Sequence, residues 1–162
     1  MISDDDREAI EAQLGRTIRG AVEVAHRCEC GKPDVVKTQP RLPDGTPFPT
    51  VYYMTCPKAT AAIGTLEANY VMREMQDRLG TDPELAAAYL KAHEHYLATR
   101  EALGHVEEID GISAGGMPGR VKCLHVLAGH ALAAGPGVNP LGDEVVAMIA
   151  GCQSRGSCVG ES

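Results

Sequence analysis

Apolar residues change their spacing several times along the chain, and each change marks an element. Residues 4–15 carry Ile10 and Leu14 at i, i+4 behind a run of three aspartates. That pattern predicts a short helix with negative charge at its N-terminus, interrupted by Gly15 and Gly20. From 21 to 28 the period falls to two, with Val22 and Val24 alternating with Glu23 and Ala25. A strand ending near Cys28 follows from that alternation. Gly31-Lys32-Pro33 reads as a turn, and Val35-Val36-Lys37-Thr38 as a second strand. The Pro-rich stretch 40–49, with Asp44-Gly45 at its centre, predicts an ordered loop or wide hairpin connection. Val51–Thr55 is a third strand, which delivers Cys56.

Helical spacing returns at Ala59. Ile63, Leu66, Tyr70, Met72 and Met75 fit one helix over 59–79, ended by Gly80. Asp82-Pro83 opens the next as cap and first helical residue, and Gly104 stops it after Leu103. The two predict an antiparallel helical hairpin over 59–103. Residues 105–119 form a glycine-rich loop. An apolar helix runs from Arg120 to Ala134, and Asn139-Pro140 starts a last short helix to about Ala150. The expected fold class is α+β: a small antiparallel sheet within residues 21–56, packed with the helical hairpin and a C-terminal helical segment. A single domain is expected over 1–150, with a flexible C-terminal tail over 151–162.

Composition sharpens this picture in three places. The 162 residues are 44% hydrophobic, enough for a core, but only 4% aromatic with no Trp. A core built mainly from Ala, Val, Leu, Ile and Met is expected. The net charge of −7 argues against broad contact with nucleic-acid phosphates. No apolar run approaches the roughly 20 residues that span a bilayer, and the acidic start has the wrong sign for a secretory signal. A cytoplasmic location is expected, with no membrane or nucleic-acid partner. Six cysteines in a reducing compartment point to metal binding or catalysis rather than disulfides.

Three segments carry candidate ligands: Cys28-Glu29-Cys30, Cys56-Pro57 and Cys123-Leu124-His125. Cys28, Cys56, Cys123 and His125 would give zinc three sulfurs and one nitrogen, with Cys30 as a substitute. Within a helix Cys123 and His125 would point about 200° apart. Both can ligate only if residues 122–125 are non-helical or form a helix end. Cys123 and His130 would lie about 10 Å apart along such a helix, long for one metal. An iron–sulfur cluster on Cys28, Cys56 and Cys123 is the second reading, and Cys56-Pro57 matches the Cys-Pro that ends a ferredoxin run. No C-x₂-C spacing favours either metal. In a third reading the cysteines simply fill core space. In a fourth, Cys123 is a nucleophile served by a histidine such as His26. Cys152 and Cys158 are incidental, and His93 and His95 are surface or packing residues.

A second candidate is the loop before the apolar helix. Gly115 and Gly116 allow backbone N–H groups to approach an anion, and Arg120 and Lys122 add positive charge at a helix start. An anionic small molecule would fit there. The segment is neither a P-loop nor a dinucleotide fingerprint.

Several runs, taken in order, carry a resemblance. They are Arg27-Cys28 with Gly31-Lys32-Pro33, Pro40-Arg41-Leu42, Asp44–Thr50, Thr55-Cys56-Pro57 and Leu66-Glu67. Ala92-His93-Glu94, Gly115–Pro118, Lys122–His125 and Asn139–Gly142 complete them. Over about residues 14–145 the chain resembles domain-of-unknown-function family 501 (DUF501), bacterial proteins mainly of high-GC Gram-positives. The resemblance includes the positions of Cys28, Cys56, Cys123 and His125, with Cys30 ranked below them. It also implies, through genetic neighbourhood, a protein partner from cell division or phosphate metabolism.

The sequence thus leads to a cytoplasmic metal-binding protein holding zinc or an iron–sulfur cluster, with an anion-binding loop beside it. The rival is a non-enzymatic interaction module that docks its helical hairpin on a partner.

Overall fold

The computed structural model describes residues 2–149. The tail expected over 151–162, with Cys152 and Cys158, lies outside the described residues. Helix α1 spans Asp4–Leu14; Ser3 caps it by accepting the Asp6 N–H at 3.1 Å, and Gly15 closes it. Strands β1 (Ala21–Arg27), β2 (Pro33–Thr38) and β3 (Tyr52–Met54) form one antiparallel sheet in the order β1-β2-β3. Val36 lies opposite Val24 on one side and Tyr53 on the other; Val35 pairs with Met54.

The middle strand explains why two cores exist. Neighbouring residues of a strand point to opposite faces. Val35 therefore joins a large core with Met54 and Tyr52, while Val36 joins a smaller one with Ile10 and Ile18 under α1. Polar residues at alternate positions would have left one face wet; two consecutive valines bury both.

The expected helix over 59–79 is two helices, α2 (Pro57–Ala68) and α3 (Val71–Thr81). Between them Asn69 ends α2 and Tyr70 takes a left-handed backbone with φ 64°. Gly80 lies inside α3, and Asp82 both ends α3 and caps α4 (Pro83–Leu103). After the glycine-rich loop, α5 spans Leu124–Ala134, starting four residues later than its apolar run suggests, and α6 spans Pro140–Met148. The α5 helix packs on β3 and on α6. Gly142 makes the second contact, since a Cβ there would run into the Leu127 carbonyl. This is what the Asn139-Pro140-Leu141-Gly142 run encodes: a cap, a first-turn proline, a core leucine and a close approach.

Two buried polar groups tie the layers. Arg100 on α4, 4% exposed, donates to the carbonyls of Ile112 at 2.6 Å, Ile109 at 2.7 Å, Pro49 at 3.1 Å and Ser113 at 3.5 Å. His130 on α5 is fully buried, with its ring stacked on Tyr52 and on His95. Asn139 Oδ1 accepts the Gly142 N–H at 2.9 Å, which turns Nδ2 toward His130 Nδ1 at 3.2 Å. His130 Nδ1 is then an acceptor, and its Nε2–H donates to His95 Nδ1 at 2.9 Å. Among the described residues no helix is long and apolar enough to cross a membrane.

Candidate metal centre

Residues 120–123 are not helical because their backbone is bonded elsewhere. The Arg120 N–H donates to Gly116 O at 2.9 Å and the Lys122 N–H to Gly115 O at 2.8 Å. The Val121 N–H donates to Gln76 Oε1 at 2.9 Å. Cys123 is consequently the N-cap of α5, with an extended backbone at φ −149° and ψ 108°. His125 sits in the first turn. This helix end meets the condition under which both side chains can face one point.

They do so against α2. Thr60 and Glu67, seven residues apart, share one face of that helix. Glu67 Oε2 accepts the Leu124 N–H at 2.9 Å and lies 3.3 Å from His125 Nδ1. Cys123 Sγ lies 4.0 Å from the same Nδ1. His125 Nε2 is 3.2 Å from Thr60 O. A carbonyl can only accept, so Nε2 carries hydrogen and the neutral ring turns its Nδ1 lone pair toward Cys123 and Glu67. Among the described residues, Glu67, Cys123 and His125 form the one group whose donor atoms all lie within 4.8 Å of one another. Such a group could hold a metal ion. It opens on a cavity of about 290 Å³ walled by Cys123, His125, Thr60 and the β3 residues Tyr52, Tyr53 and Met54.

Without an ion, charge separation takes over. The Cys123 sulfur, then the Glu67 charge and the Thr60 carbonyl working against burial, push His125 up to about 9. Burial pushes the Cys123 thiol up, but hydrogen bonds from His125 and the Val126 N–H outweigh it and hold the thiol below its ordinary range.

The other expected ligands lie elsewhere in the fold. Cys28 is buried in the large core at the end of β1. Cys56 is fully buried and caps α2, its Sγ accepting the Ala59 N–H at 3.4 Å. Neither joins the group around His125. Cys30 is exposed. His26 is paired with Asp34, Nδ1 to Oδ1 at 2.7 Å, and so belongs to β1 and β2 rather than to Cys123. The candidate ligand that sequence reasoning missed is Glu67, a helical glutamate indistinguishable by spacing from a solvated one. The adjacent pair Leu66-Glu67 within the family runs was its only trace.

In the glycine-rich loop, Gly115 and Gly116 accept from the Lys122 and Arg120 amides. A Cβ on Gly116 would come within 2.7 Å of Arg120 O, so this glycine is required by the loop's own closure. Arg120 and Lys122 themselves are exposed. The Met117-Pro118 peptide is cis.

A family model described as "Protein of unknown function (DUF501)" matches residues 24–147, more than half of the chain. No curated protein matches the chain. No solved structure matches it either.

Proposed function

The chain belongs to the DUF501 family, and we propose that its site binds one zinc ion through Glu67, Cys123 and His125, with a fourth position open to the cavity. The observation that carries this reading is the tether from His125 Nε2 to Thr60 O, which aims Nδ1 at the other two donors. A second hydrogen bond fixing ring orientation is the usual companion of a ligating histidine. The spacing fits as well. Tetrahedral zinc places S and N ligands about 3.6 Å apart and N and O ligands about 3.4 Å apart, from its bond lengths. The observed separations are 4.0 and 3.3 Å, so closure needs only a small movement of the thiol. A donor set with one thiolate, one imidazole and one carboxylate suits zinc; a cluster takes three or four thiolates. Three protein donors with an open position are the mark of catalytic rather than structural zinc, and the ion would supply a Lewis acid beside the β3 wall.

Metal analysis of protein purified without an affinity metal should find about one zinc per chain. Cys123→Ser and His125→Ala should lose it, while Cys28→Ser keeps it. Metal-free wild-type protein that does not take up added zinc would overturn the reading.

One observation favours a second reading. The raised His125 and lowered Cys123 at a helix N-terminus are also the making of a thiolate–imidazolium nucleophile. That reading expects Cys123 to be alkylated by iodoacetamide at pH 7 in the protein as purified. The zinc reading expects it to react only after chelation.

A further inference from the structure

We propose that the opposite face of the sheet binds a small amphiphile with an apolar body and a single anionic head group. A cavity of about 510 Å³ lies there, apart from the metal centre. Its floor is Val36 and Tyr53 of the sheet. Leu14 and Ile18 close one side and Leu42 and Phe48 of the Pro-rich loop the other. A volume in the range of about 300–1,000 Å³ with mostly apolar walls is what small-molecule sites share.

The charge at its rim specifies the head group. Arg16 and Arg19 both line the cavity, and among the described residues no carboxylate does. Three other arginines are held by carboxylates: Arg27 by Asp6 at 2.6 Å, Arg41 by Glu108 at 2.7 Å and Arg78 by Glu144 at 2.6 Å. At the cavity, Arg16 donates only to the neutral Tyr53 hydroxyl at 3.2 Å. Arg19 lies 4.0 Å from Asp44, with both side chains more than half exposed. In a chain of net charge −7, two loosely held guanidiniums over an apolar hollow are a recognition element for a carboxylate or a phosphate monoester. The ligand's body would lie along Val36 and Phe48, with its head at the rim.

The test is a titration of the full chain, followed by amide chemical shifts, with decanoate, decyl phosphate, decanol and decyltrimethylammonium below their micelle concentrations. The two anions should bind saturably and shift the amides of Thr17, Thr38, Phe48 and Tyr53. Decanol should bind about tenfold more weakly and the cation not at all. Combined Arg16→Gln and Arg19→Gln should bring decanoate to the level of decanol. Thr17→Trp, an exposed wall position, should block the two anions and decanol while leaving both arginines in place. Equal binding of decanol and decanoate, shifts confined to other surfaces, or nuclear Overhauser contacts from residues 151–162 into the cavity would each overturn the proposal.

Discussion

Single residues set the pH response of this protein, and two histidines set it in opposite directions. Burial first, and then the neighbouring His95, push His130 down to about 3, from an ordinary 6.5. The unfolded chain takes up that proton below about pH 6.5 and the folded chain does not, so this contribution is intact above 6.5 and is lost as pH falls toward 3. The full effect is on the order of several kcal/mol. The hydrogen bond to Asp34, acting against burial, raises His26 above its ordinary value. Its contribution is present below the unfolded value and fades as pH rises through the folded one. Urea unfolding from pH 4 to 8 should show a steep acid arm that is removed by His130→Phe in a variant that still folds. His26→Gln should instead flatten part of the arm on the neutral side, the rest of which His125, pushed up to about 9, supplies in the metal-free protein. The buried histidine was not legible as such. His130 falls in an apolar helix, but only the Asn139 cap, which also points its amide at the ring, shows that the ring stays neutral.

Among the elements, the sheet and the caps were the most legible parts. Val35-Val36 and Asp82-Pro83 state their roles in local chemistry, and the structure places them in a central strand and a helix start. The break between α2 and α3 was not legible, because Leu66 and Tyr70 at i, i+4, and Met72 and Met75 at i, i+3, keep helical spacing on either side of it. What stops the helix is backbone: Tyr70 at φ 64° and 76% exposed, a conformation that costs an L-residue about 1 kcal/mol. Tyr70→Gly should therefore stabilise the protein by about that amount, visible as a rise in Tm of about 2–4 °C. An unchanged or lowered Tm would show that the exposed ring makes up the strain. The late start of α5 is the same kind of miss with a larger consequence. Apolar content extended the helix back to Arg120, while three amides bonded to Gly115, Gly116 and Gln76 hold that stretch extended and make Cys123 a cap. Cys123 and His125 could thus be named from the sequence. Their partner depended on where α2 docks, which spacing does not encode.

At the scale of the whole molecule, the sheet separates two chemistries, a donor cluster toward α2 and α5 and a cationic hollow beside α1. Metal binding should raise global stability, because the ligands come from α2 and the start of α5 and converge only in the folded chain. A chelator should lower the Tm of the zinc-loaded protein, and should not move that of Cys123→Ser. Arg100 has a different consequence, one of timing. Its guanidinium gathers carbonyls at Pro49, Ile109, Ile112 and Ser113, so the bonds exist only after the Pro-rich loop and the glycine-rich loop have both closed on α4. We expect bonds that wait on both closures to form late, and the loss of a late-forming interaction falls mainly on the unfolding rate. In stopped-flow measurements Arg100→Ala should refold at nearly the wild-type rate and unfold much faster. The residue would act as a latch on the finished structure, setting how long the native state lasts rather than how quickly it is reached.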